Sequence, residues 1–249
     1  MVETGSAIKK EEVIYGDDPK MKGFIAYKSD LKEKVPGVLV VHEWWGHDDY
    51  ARSRAVQLAE LGYVGMALDM YGDGKKACHP TDAGTFMKES IAKFDAASDR
   101  FLKAIETIKK NEHCDPNRIA AIGYCYGGMI VINMAKLGHD LKGVISFHGV
   151  LSAPVKAEKG KCKAKVLVCN GEDDPMVTKE NIDDFKKEME DAGIDYKFVN
   201  YPGATHGFSN PEATARGKEF NMPIAYHEET DKKSWAEAVQ FFKEVFATK

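Results

Sequence analysis

The run Ile119-Ala120-Ala121-Ile122-Gly123-Tyr124-Cys125-Tyr126-Gly127-Gly128-Met129-Ile130-Val131-Ile132-Asn133-Met134-Ala135 decides how this chain folds. Its first four residues read as a buried strand, and the apolar stretch after Gly128 reads as a buried helix. Gly123 and Gly127 flank Cys125, two positions away on either side. A strand that turns at once into a helix forces its apex residue into strained backbone angles, and bulky residues two positions away would collide across the turn. A cysteine at that apex stands clear of the backbone. The helix behind it supplies N–H groups and a positive dipole end, both of which favour a thiolate. The plainer alternative is a small buried cysteine in an ordinary turn; the placed glycines argue for the first reading.

Outward from this turn, strands and helices alternate. Glu12–Tyr15 and Lys22–Lys28 read as an opening pair of strands, and Gly37–His42 as a strand covered on both faces. A helix over Asp49–Leu61 ends at Gly62, a strand covers Tyr63–Asp69, and one long helix falls within Ala83–Lys110. After the elbow strand Arg118–Tyr124 come strands Lys142–His148, Lys165–Asn170 and Asp195–Tyr201, and helices Lys179–Ala192 and Lys233–Thr248. Strands separated by helices imply parallel pairing with right-handed crossovers. The expectation is an α/β fold: a mostly parallel sheet of about eight strands with helices on both faces, as a single domain over residues 1–249. The stretch 203–231 carries Pro211 and Pro223 and little helical periodicity, so it reads as a lid-like loop.

The pattern around Cys125 resembles the nucleophile elbow of α/β-hydrolases, with cysteine where serine is usual. A cysteine nucleophile needs a base, and the base needs an orienting acceptor. On that fold they follow the nucleophile in the order acid, base. Asn170-Gly171-Glu172-Asp173-Asp174-Pro175 and Gly203-Ala204-Thr205-His206-Gly207-Phe208 each follow a strand, where ligand crevices form in open parallel sheets. His206 is therefore the candidate base and Asp174 the candidate acid, with two neighbouring acids competing for that role. His42-Glu43-Trp44-Trp45-Gly46 follows the third strand. On the α/β-hydrolase pattern the loop there gives one oxyanion N–H, here from Trp44, and the residue after the nucleophile, Tyr126, gives the other. Trp45 and Phe208 are candidates for the substrate pocket wall.

The Glu43 loop, the Cys125 elbow, Gly171-Glu172-Asp173-Asp174 and Ala204-Thr205-His206, in that order, resemble the dienelactone hydrolase family over nearly the whole chain. The resemblance implies a Cys125–His206–Asp174 triad, and a Glu43 that holds the resting Cys125 thiol and then helps to deprotonate it. One position departs: the dienelactone enzymes carry an arginine for the substrate carboxylate four residues after the histidine, and this chain has Asn210. Arg52 and Arg54 lie near the Glu43 loop in sequence and read as solvent-facing helix positions. Sulfur narrows the chemistry further. Thiolate leaves a tetrahedral adduct more readily than an alkoxide or amine, so the expected substrates are activated esters, enol lactones or thioesters. The expected function is a cysteine-dependent hydrolase of carboxylic esters or lactones through an acyl-cysteine. The alternatives are a non-catalytic binding protein on a hydrolase scaffold, and a redox protein, which would need a resolving cysteine that no CxxC supplies.

Bulk properties exclude other classes. A net charge of −4 gives no electrostatic footprint for nucleic acid. No apolar run is long enough to span a bilayer, so a membrane partner is not expected. The five cysteines lack the spacing of a disulfide framework, and His42, His47 and His79 lack metal-ligand spacing; neither cofactor nor metal is expected. Met1–Ser6 has no apolar leader core, so the expected location is cytoplasmic, with export as the alternative if a leader was removed. The expected partner is a small ester or lactone, and the sequence is silent on oligomeric state.

Overall fold

The computed structural model describes residues 6–17, 19–152 and 154–247. Eight strands form a mostly parallel sheet, and the chain divides into two compact units, Met1–Ala120 and Ala121–Lys249.

The first unit carries β1 (Ile8–Tyr15), β2 (Met21–Lys28), β3 (Val35–Val41), α1 (Asp49–Glu60), β4 (Val64–Ala67), α2 (Pro80–Ala92) and α3 (Phe94–Lys109). β5 (Cys114–Tyr124) starts there, and the strand order is β1-β2-β4-β3-β5. β2 runs antiparallel to both its neighbours, while β3 and β4 are parallel. Val38–Val41 are wholly buried, as an unbroken apolar run in a parallel strand requires. α1 packs on β2, β3 and β4, its N-cap Asp48 accepting from Ala51 N–H.

The single helix expected within Ala83–Lys110 is two. The chain breaks at Lys93 (φ −115°, ψ 54°) although neither Gly nor Pro stands there. Burial separates the two pieces. α3 buries Ala97, Phe101, Ala104, Ile105 and Ile108 on one stripe, whereas α2 buries only Ala83 and Ser90.

The second unit holds the end of β5, α4 (Tyr126–Lys136), β6 (Gly143–Phe147), β7 (Lys165–Gly171), α5 (Lys179–Ala192), β8 (Tyr196–Tyr201), α6 (Ala213–Phe220) and α7 (Glu228–Ala247). Its strands run in the order β5-β6-β7-β8, all parallel. Every residue of α4 is buried, including Lys136 at 1% exposure. Its ammonium pairs with Glu188 of α5 at 2.7 Å, and the other Glu188 oxygen accepts from Ala157 N–H at 2.7 Å. α5 has the bounds read from sequence, fixed by a Thr178–Asn181 capping box and by Gly193 in the left-handed region. The segment 203–231 is not all loop: it contains α6, closed by Asn221 in the left-handed region. α6 buries Ala213 and Gly217, which are too small to leave a hydrophobic period in the sequence.

Candidate active site

The elbow forms as its spacing requires. Cys125 has φ 53° and ψ −112°, strain of about 1–3 kcal/mol for a residue with a β-carbon. Its N–H donates to Phe147 O at 3.0 Å, and its carbonyl accepts from Gly128 N–H at 3.1 Å and Met129 N–H at 3.3 Å. A β-carbon on Gly123 would lie 2.0 Å from Gly127 O, and one on Gly128 would lie 2.4 Å from Ser146 Oγ. Glycine thus lets strand and helix close beside Cys125, which is half-buried at the head of α4.

Asp174 and His206 meet because two strand-end loops touch. Glu172 N–H donates to Tyr201 O and Asp173 N–H to Ala204 O, both at 3.0 Å. Gly171 allows this approach, since a β-carbon there would lie 2.5 Å from Ala204 O. His206 Nδ1–H donates to Asp174 Oδ2 at 2.8 Å, and Asp174 Oδ1 accepts from Met176 N–H at 2.8 Å. Of the three acids in this turn, Glu172 and Asp173 are exposed, while the Asp174 side chain is fully buried. Backbone pairing of His206 with Ile224 and Ala225 N–H pins the histidine loop to the chain beyond α6.

His206 Nε2 is buried and has no hydrogen-bond partner of good geometry. Burial alone would lower the proton affinity of the ring. Cys125, whenever its sulfur is ionised, and the bond to Asp174 outweigh it, and the His206 pKa is raised well above its ordinary value. A ring in this setting holds firmly a proton taken from a neighbouring thiol.

Sequence reading missed His148, just past the carboxyl end of β6. It is fully buried with φ 40°, and its Nε2 lies 2.7 Å from Ser209 Oγ. Its ring meets His206 edge to face at 5.3 Å and Phe208 at 5.0 Å. The one available signal was its position at a strand end, shared with Asp174 and His206. Phe208 is wholly buried between His148 and Tyr201 and braces the loop from beneath. Asn210 is also buried. Its Oδ1 accepts from Glu212 N–H at 2.9 Å and its carbonyl from Ala213 N–H at 2.9 Å, so it shapes the turn into α6.

In the first unit, the loop after β3 is held by the residues around it. His42 Nδ1–H donates to Glu43 O at 2.5 Å, and His42 Nε2 accepts from Met70 N–H at 3.1 Å. Burial pushes the His42 pKa down to about 4, so the ring is neutral near pH 7 and this tautomer is fixed. Tyr71 O–H donates to Trp44 O at 3.0 Å, and Trp44 and Trp45 meet edge to face at 5.1 Å. Glu43 and Trp45 are buried, and Trp44 is partly exposed. Asp69 anchors the next loop, its carboxylate accepting from the N–H groups of Lys22, Tyr71, Gly72 and Gly74. Arg54 corrects an expectation. It is buried at 4% exposure and stacks on Tyr50, whereas Arg52 reaches outward to Glu12.

No helix among the described residues is long and apolar enough to cross a membrane. The chain is similar to the solved structure named m3DLH, with 33% identity, a TM-score of 0.90, and coverage of 96% of this chain and 99% of that one. A dienelactone hydrolase-like promiscuous phosphotriesterase from metagenomic libraries is 27% identical, with the same TM-score and coverage. Protein usf of Aquifex pyrophilus is 28% identical over 230 residues, which is 90% of this chain and 94% of that protein. The model of the dienelactone hydrolase family matches residues 21–246, and the chain belongs to that family of hydrolases acting on ester bonds.

Proposed function

We propose that the protein hydrolyses activated carboxylic esters, enol lactones or thioesters through an acyl-cysteine on Cys125, with the whole chain acting as one catalytic domain. The observation that carries this reading is the buried His206–Asp174 hydrogen bond at 2.8 Å, which leaves His206 Nε2 for the Cys125 thiol. Asp174 holds the ring with its proton on Nδ1. Nε2 takes the thiol proton as Sγ attacks the acyl carbon. Tyr126 N–H, at the head of α4, and Trp44 N–H receive the oxyanion. The adduct collapses by breaking the bond to the leaving oxygen or sulfur, which takes the proton from His206. Water then attacks the thioester carbon, gives a proton to Nε2, and Sγ departs to be reprotonated. Trp45 and Phe208 are assigned to substrate contact and, from the family resemblance, Glu43 to the resting thiol, and these roles are part of the proposal.

The test is hydrolysis of p-nitrophenyl acetate by wild type, Cys125→Ala and His206→Ala, with intact-mass detection of the acylated enzyme. Each variant should lose at least about 10³ in kcat, and the losses should not add. Turnover by Cys125→Ala close to wild type would end the proposal. The phosphotriesterase relative favours one extension: an aryl phosphotriester offers the same good leaving group, with attack at phosphorus. Release of p-nitrophenol from diethyl p-nitrophenyl phosphate, lost in Cys125→Ala, is its readout.

A further inference from the structure

The break at Lys93 creates a second feature of the first unit. A pocket of about 200 Å³ lies beside it, between the end of α2, the first turns of α3 and the loop after β4. Lys75, Lys93 and Arg100 all line it. None of the three forms an ion pair among the described residues. Arg100 is fixed in place by donating from Nη1 to Met70 O at 2.7 Å, yet its Nε–H is buried without an acceptor. A buried guanidinium N–H without a partner is costly, and an oxyanion is what satisfies it best.

Aromatic rings line the pocket too. Tyr71 and Phe86 meet with ring centroids 5.6 Å apart, and Lys75 Nζ lies 5.9 Å from the Phe86 ring. The Tyr71 hydroxyl is already spent on Trp44 O, so its ring, not its oxygen, is what the pocket can use. One acid, the exposed Glu89, also lines the pocket, against three cations. The surplus is positive, and the start of α3 adds the positive end of a 16-residue helix. The volume is below the usual range for drug-sized ligands and suits a single ring bearing one acidic group.

We propose that this pocket binds a small aromatic carboxylate: Arg100 and Lys93 hold the carboxylate, and Tyr71 and Phe86 take the ring. It uses none of the residues assigned to hydrolysis, so the test needs no turnover. Isothermal titration of the full chain at low ionic strength should give saturable benzoate binding. Acetate, with the charge and no ring, and benzyl alcohol, with the ring and no charge, should each bind at least fivefold more weakly. Arg100→Gln should weaken benzoate at least fivefold. Lys93→Glu, at an exposed position that makes no side-chain cap, should do the same without disturbing the fold. Lys156→Gln, an exposed lysine of the second unit, should leave benzoate unchanged. No saturable benzoate binding, equal binding of benzoate and benzyl alcohol, or wild-type affinity in Lys93→Glu would overturn the proposal.

Discussion

Replacing Asp174 with Asn is nearly isosteric, so its effect isolates hydrogen-bond direction. Asp174 Oδ1 serves Met176 N–H and Oδ2 serves His206 Nδ1–H, both at 2.8 Å and both out of solvent. An amide has one oxygen for these two donors. If the oxygen stays on Met176, the NH₂ faces Nδ1, and the ring must move its proton to Nε2, the atom that accepts from Cys125 in the proposed mechanism. If the amide flips, Met176 N–H loses its acceptor, at about 1–3 kcal/mol. Loss of the charge-assisted bond alone is worth about 1.5–3 kcal/mol, or roughly 10- to 150-fold in rate at about 1.4 kcal/mol per decade. The wrong tautomer adds to this, so kcat should fall on the order of 10²- to 10⁴-fold. The assay is steady-state p-nitrophenyl acetate hydrolysis beside thermal melts across pH. Because the His206 pKa is raised in the folded protein, the stability it contributes is fully present below about pH 6.5 and is lost as pH rises through the raised value. Wild type should therefore exceed Asp174→Asn in Tm most clearly at acidic pH, with the gap closing toward alkaline pH. Retention of more than about a third of wild-type kcat, or an equal loss in the exposed Asp173→Asn, would refute this reasoning.

Four further outcomes are expected. Gly123→Ala drives a β-carbon into Gly127 O and should cost on the order of 3 kcal/mol or prevent folding, read by urea denaturation. Glu188→Gln leaves the Lys136 ammonium buried without its partner and should destabilise by about 3–5 kcal/mol, whereas the double variant Lys136→Met/Glu188→Gln should recover most of that loss. Glu43→Gln should speed iodoacetamide alkylation of Cys125 at neutral pH while lowering turnover; coincident rate–pH profiles by mass spectrometry would remove Glu43 from the nucleophile's surroundings. His148→Phe keeps a ring against His206 but loses the contact with Ser209, and should lower kcat roughly tenfold with KM unchanged, as an orienting role predicts.

The sequence was most legible where local chemistry and burial agree. The Thr178 capping box and Gly193 gave both ends of α5, and unbroken apolar runs marked β3, β5, β6 and β7. Cys125, Asp174 and His206 stood out because each follows a strand at a turn whose glycines have a steric purpose. What escaped depends on tertiary contact. The Lys93 break follows from where α2 and α3 bury their faces, and no local residue announces it. α6 is built on Ala213 and Gly217, which carry little hydrophobic signal. Arg54 reads as a surface residue until Tyr50 is seen beneath its guanidinium. His148 has no motif; its meaning lies in the Ser209 and His206 that other loops bring to it.

The elbow is specified almost entirely by residues other than the one it presents. Gly123 against Gly127, Gly128 against Ser146 and the Phe147 carbonyl fix the turn, and none of these contacts involves sulfur. Serine has the same β-carbon and suits the same backbone angles, and a single base change in the codon turns cysteine into serine. The apex side chain, the nucleophile of the proposed mechanism, can therefore be exchanged in one mutational step while the contacts that fix the turn are kept. A lineage on this frame is free to drift between leaving groups that suit a thiolate and those that need an alkoxide, without crossing a valley of unstable intermediates.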